Sequence, residues 1–138
     1  MYFNKTIPEL SVTNLSKSIK FYKTCGFKIE YERPEDKFAF LSLNEIQFML
    51  QEISDDDKWE VGQLEYPFGR GINFQLEVDN VDIIYNSLRE HNYQIAYEIE
   101  ENWYREDDKL LGCKEFLVQD PDGYLLRFQN DLGTKNVE

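Results

Sequence analysis

Apolar and polar residues alternate, switch to helical spacing, and alternate again, and the chain does this twice. In "LSVTNLSKSIKFYKTCGFKIEYE" (10–32), Leu10 and Val12 alternate as in a half-buried strand. Leu15, Ile19 and Tyr22 then recur at helical spacing, between Asn14, a candidate N-cap, and Gly26, which tolerates left-handed backbone. "LEVDNVDIIYNSLREHNYQIAYE" (76–98) lies over this stretch without a gap, at an offset of 66. Leu76 and Val78 alternate there, and Val81, Tyr85 and Leu88 take helical spacing between Asn80 and Asn92. A strand follows in both copies. "KFAFLSLNEIQFMLQ" (37–51) and "KEFLVQDPDGYLLRFQ" (114–129) each read as two strands joined by a tight turn, Asp-Pro-Asp-Gly in the second.

The pattern predicts an α+β protein of two βαβββ modules, at about 1–52 and 72–131, within a single domain. Residues 53–71 are predicted to link them, with the acidic run Asp55–Asp57, Trp59, Pro67 and three glycines. A second loop is predicted at roughly 99–112.

Each alternating strand has two faces. Leu10 and Val12, then Ile46, Phe48 and Leu50, then Phe74, Leu76 and Val78, then Leu126 and Phe128 form rows suited to packing under the helices. The opposite rows are mixed: Ile7, Glu9 and Ser11; Gln47, Met49 and Gln51; Asn73, Gln75 and Glu77; Leu125, Arg127 and Gln129. Such a row suits either a solvated sheet face or the wall of a cavity enclosed by curved mixed sheets.

A hydrophobic fraction of 41% supplies a packed core, and the 138-residue length fits one domain. The net charge of −12 argues against nucleic acid, whose phosphates need Lys and Arg, and is compatible with a cationic ligand. No apolar run reaches the length of a membrane span, and "MYFNKTIPEL" does not read as a signal peptide. Cys25 and Cys113 form no spacing motif and read as reduced thiols of a cytoplasmic protein. His91 is the only histidine and falls at a helix end. With no His–Cys or Ser–His pair and no glycine-rich phosphate loop, nothing marks a catalytic constellation. Trp59, Trp103 and Tyr104 stand in polar, acid-rich stretches, where an aromatic ring can stack on a planar ligand while carboxylates attract its charge.

Three ordered stretches, "PELSVTNLSKSIKFYKTCGF" (8–27), "INFQLEVDNVDIIYNSL" (72–88) and "EFLVQDPDGYLLRF" (115–128), resemble the vicinal oxygen chelate superfamily of glyoxalases, extradiol dioxygenases, fosfomycin-resistance proteins and bleomycin resistance proteins. The resemblance implies two modules around a cavity. In the metalloenzymes a divalent ion sits there on His, Gln or Glu side chains from four strands. Those slots carry over to Ile7, Met49, Asn73 and Arg127, a set that lacks the usual donors: Ile has none, a thioether is soft, and Arg offers no lone pair. Arg127 is expected to neutralise Glu9 or Glu77, or to bind an anionic group.

The resemblance is greatest to the metal-free bleomycin resistance proteins, homodimers that sequester a flat drug in crevices between subunits. By that likeness Phe38 is the stacking residue, with Trp103 and Tyr104, or Leu111, at a second stacking position. The implied function is metal-independent sequestration of a flat, cation-bearing antibiotic, without catalysis, cofactor, nucleic acid or membrane. The alternative is a metal-dependent lyase, thiol transferase or dioxygenase whose ligands come from other positions.

Overall fold

A computed structural model describes residues 2–55 and 58–137; Asp56 and Asp57 of the acidic run lie outside them. The elements follow the expected order. The first module has β1 (Glu9–Val12), α1 (Leu15–Thr24), β2 (Lys28–Arg33), β3 (Phe38–Leu43) and β4 (Ile46–Glu52). The second has β5 (Asn73–Glu77), α2 (Val81–Glu90), β6 (Ile95–Glu106), β7 (Lys109–Gln119) and β8 (Leu125–Asn136). Each forms a mixed four-stranded sheet, ordered β1-β4-β3-β2 and β5-β8-β7-β6, in which the first strand pairs parallel with the last. The α+β fold of repeated βαβββ modules is therefore what the residue pattern predicts.

Local chemistry explains the boundaries. Asn14 Oδ1 accepts from the Lys17 amide, and Asn80 Oδ1 from the Asp82 amide, so each asparagine satisfies one orphan donor of its helix. The helices end where Gly26 and Asn92 take left-handed backbone, with φ of 103° and 65°. The buried face of α1 is turned from the expected one: Ser18, Phe21 and Tyr22 are enclosed, whereas Leu15 and Ile19 are half-buried. Phe21 and Tyr22 meet edge to face, and Tyr22 also packs edge-on against Phe27 and Phe48, so large rings fill the space under the helix. In α2, Val81, Ile84 and Leu88 are buried.

The chain divides into two compact units, Met1–Arg70 with Asp120–Gly123, and Gly71–Gln119 with Tyr124–Glu138. The Asp-Pro-Asp-Gly turn thus belongs to the first unit. Asp122 accepts from the Thr13 hydroxyl at 2.7 Å and from the Thr13 amide at 3.2 Å, just beyond β1. The Tyr22 hydroxyl donates to buried Asp120 at 2.7 Å.

The stretch 99–112 is not the loop its sequence suggests. It forms the arms of a β6–β7 hairpin closed at Asp107-Asp108, with Trp103 opposite Gly112 and Tyr104 opposite Leu111. β8 runs beside it as far as Asn136. These arms carry polar residues on both faces, so they lack the one-sided apolar alternation that marks a half-buried strand.

Candidate functional site

The two ladders correspond rung by rung. Glu9 pairs with Met49 as Gln75 pairs with Arg127, and Phe38 pairs with Gln51 as Glu115 pairs with Gln129. Met49 and Arg127 therefore hold the same place in their sheets, and so do Phe38 and Glu115.

On the mixed face of the second sheet, Glu115 is 3% exposed and its carboxylate is saturated by donors from three strands. Arg127 on β8 donates to Oε1 at 3.2 Å. Tyr104 on β6 donates to Oε2 at 2.7 Å, Asn102 at 3.0 Å, and the Cys113 thiol on β7 at 3.0 Å. Alternation along β6 and β7 aims Asn102, Tyr104, Cys113 and Glu115 to one side. Burial pushes the Glu115 pKa up, but the hydrogen bonds from Cys113, Tyr104, Asn102 and Arg127 outweigh it and hold the group at about 2. The same contact pushes Tyr104 up to about 12, with burial adding to it. Burial, then the bond to Glu115, pushes Cys113 up to about 12. At neutral pH the cluster therefore holds a carboxylate, a guanidinium, a phenol and a thiol. Neither the phenol nor the thiol is a poised nucleophile or base.

Arg127 was expected against Glu9 or Glu77; its partner is Glu115. Reading the sequence alone missed Glu115. The signal available was its place between Lys114 and Phe116, on the polar side of an alternating strand, but only the fold brings four donors to it.

The cluster forms one wall of a cavity of about 590 Å³ within the second unit. Tyr104, Leu111 and Gly112 give it an apolar side, and Gln75, Glu77, Gln129 and Asp131 a hydrogen-bonding one. Because Arg127 is already neutralised by Glu115, the charge left to the cavity is that of Glu77 and Asp131. Trp103 and Tyr104 part company: successive strand residues point to opposite faces, and Trp103 lies on Gly112 with the Lys135 ammonium 4.0 Å from its ring. Leu111, not Trp103, shares the cavity with Tyr104. Asn73 begins β5 and is exposed outside this cavity's lining.

In the first unit, Phe38 is 2% exposed beneath Arg33, whose guanidinium carbon lies 4.0 Å from the ring centroid. Met49 is half-buried opposite Phe40, which stacks on Tyr31. Trp59 is 66% exposed and lines a separate cavity with Arg33. His91 caps α2 and is exposed, with Nδ1 2.7 Å from the Ser87 carbonyl.

The residues at the four slots do not fit a divalent ion. Ile7 and Met49 offer no hard donor, and Arg127 brings a positive charge fixed to a carboxylate whose lone pairs already meet four donors. Among the described residues, no three His, Cys, Asp or Glu side chains are grouped so as to hold a metal. No described helix is long and apolar enough to cross a membrane.

Comparison with known proteins adds the family. TioX from Micromonospora sp. ML1 superimposes with a TM-score of 0.70 at 17% identity, over 94% of this chain and 100% of that one. A glyoxalase/bleomycin resistance protein/dioxygenase from Alicyclobacillus acidocaldarius gives 0.63 at 16%, over 94% and 92%. A superfamily member from Vibrio splendidus 12B01 is 32% identical over 90% of this chain and 95% of its own, with a TM-score of 0.42. No curated protein matches the chain. The matched family model, which covers residues 6–128, spans enzymes and non-enzymatic resistance proteins alike, and by it the chain belongs to the Glyoxalase/Bleomycin resistance protein/Dioxygenase superfamily.

Proposed function

We propose that this chain is a metal-independent small-molecule-binding protein of the bleomycin resistance type, which captures a flat, positively charged compound and withdraws it from its target without altering it. The Arg127–Glu115 pair supports this most directly: at the place where a metalloenzyme of the family presents a carboxylate, this chain presents a guanidinium locked to a saturated one. The cavity beside the pair suits such a ligand. A ring can lie along Tyr104, Leu111 and Gly112, and an ammonium can face Glu77 and Asp131. The phenol and thiol are held neutral, which favours recognition over acid–base or nucleophilic work. Homodimeric assembly and a cytoplasmic location complete the proposal; the first rests on the family resemblance, and two buried free cysteines support the second.

Calorimetric titration of chelator-treated protein with metal-free bleomycin and with proflavine, a flat cation, tests it. Saturable binding of at least one compound at micromolar or lower concentration is expected, weakened about tenfold by the double change Glu77→Gln and Asp131→Asn. Absence of binding to both at millimolar concentration overturns the reading. So does stoichiometric Ni, Zn, Mn or Fe in protein purified without chelator.

A further inference from the structure

The geometry points to a second ligand site, in the first unit, built at the counterpart rungs of its ladder but with different chemistry: a guanidinium–aromatic platform on which a flat aromatic ring stacks. Glu115 in the second unit is replaced here by Phe38, and Arg127 by Met49. What stands over Phe38 is Arg33, its rung partner on β2, 4.0 Å from the ring centroid. Asp36 holds the Arg33 Nε at 3.2 Å, which fixes the guanidinium in place against the ring.

One face of the guanidinium is spent on Phe38. Arg33 also lines a cavity of about 440 Å³ together with Gln51 and Trp59. The amide of Gln51 is tied to the Asp36 and Glu52 carbonyls, at 2.8 and 3.2 Å, so this side chain is held in place. A planar guanidinium accepts aromatic rings on its faces. The exposed indole of Trp59, with the Lys58 ammonium 4.9 Å from its centroid, offers a second surface of the same kind. Lys37 is paired with Glu52 at 3.7 Å, as Arg33 is with Asp36, so what Arg33 offers a ring is its planar face. Glu35, Asp36 and Glu52 stand beside Arg33 and Lys37 in this lining, so the site selects its ligand by ring stacking rather than by charge.

This site does not depend on the function proposed above, and the probe keeps them apart. Riboflavin is neutral, flat and fluorescent, and its emission is quenched on stacking. Titration of the full chain should give saturable quenching at micromolar to submillimolar concentration. Arg33→Lys, which keeps the charge and loses the plane, should weaken it at least fivefold, as should Trp59→Ala at an exposed position. Glu77→Gln with Asp131→Asn should leave it unchanged. No saturable quenching up to the solubility of riboflavin overturns the proposal. Quenching that survives both Arg33→Lys and Trp59→Ala, or that is lost with the Glu77 and Asp131 changes, also overturns it.

Discussion

The Arg127 guanidinium and the Glu115 carboxylate meet at 3.2 Å on a diagonal between β8 and β7, joining a half-buried cation to a buried anion. Replacing Glu115 by Gln leaves Arg127 without its charge partner and gives Oε2's three donors a weaker acceptor. Losing one partner of a buried pair costs about 3 kcal/mol. Arg127→Ala leaves Glu115 its other three donors and should cost about half as much. Urea unfolding of both variants and the double variant checks this, with strong non-additivity expected because the groups share one network.

Acid should weaken the native state through the same residue. An unfolded glutamate titrates near 4.5, and native Glu115 stays charged down to about 2. A lowered native pKa contributes stability above the unfolded value, and that contribution is lost as pH falls from about 4.5 to about 2. The urea midpoint should drop across this window, and Glu115→Gln should drop less steeply.

Gly112 leaves no room for a side chain. A Cβ there would stand 2.5 Å from the Trp103 ring, so Gly112→Ala must displace the indole. A loss of about 1–3 kcal/mol is expected, together with a red-shifted tryptophan emission and a changed near-ultraviolet dichroism as the ring turns to water.

Asp122 ties the Asp-Pro-Asp-Gly turn to the end of β1 through the Thr13 amide and hydroxyl. Asp122→Ala strands both donors and should lower stability by about 1–3 kcal/mol in thermal or urea unfolding. Thr13→Val removes only the hydroxyl and should cost about 1 kcal/mol.

Chelator treatment should change neither the melting temperature nor the affinity for a flat cation, because the four slots supply no donor set for a divalent ion. A fall of several degrees after dialysis against EDTA, restored by one equivalent of metal, would contradict this.

The elements were legible wherever one short-range rule governed them. Asn14, Asn80, Gly26 and Asn92 marked the helix ends because capping depends on a few neighbouring residues. Rows such as Val12 and Leu50, or Leu126 and Phe128, announced the buried faces by alternation alone. The long β6–β7 hairpin was hidden because its arms are polar on both sides, and no periodicity separates such a strand from a loop. The site was legible only in outline. Arg127 stood out as a cation in an alternating row, and Tyr104 as an aromatic among acids. Glu115 looked like any outward carboxylate, since its donors at 102, 104, 113 and 127 converge only through strand register. Phe38 was visible as a ring, but nothing local to it foretold that Arg33 would cover its face.

The twelve residues of β6 form an outer border of the second sheet, with one side of the ladder unclaimed by any strand of that sheet. A flat, apolar border of that length would template further chains into fibrils. Here the border carries Glu98, Glu100, Glu101 and Glu106 and breaks register twice before Glu100. An incoming copy would bring the same carboxylates against their own kind, so their repulsion opposes pairing along this border, and concentrated salt is the condition under which that opposition thins.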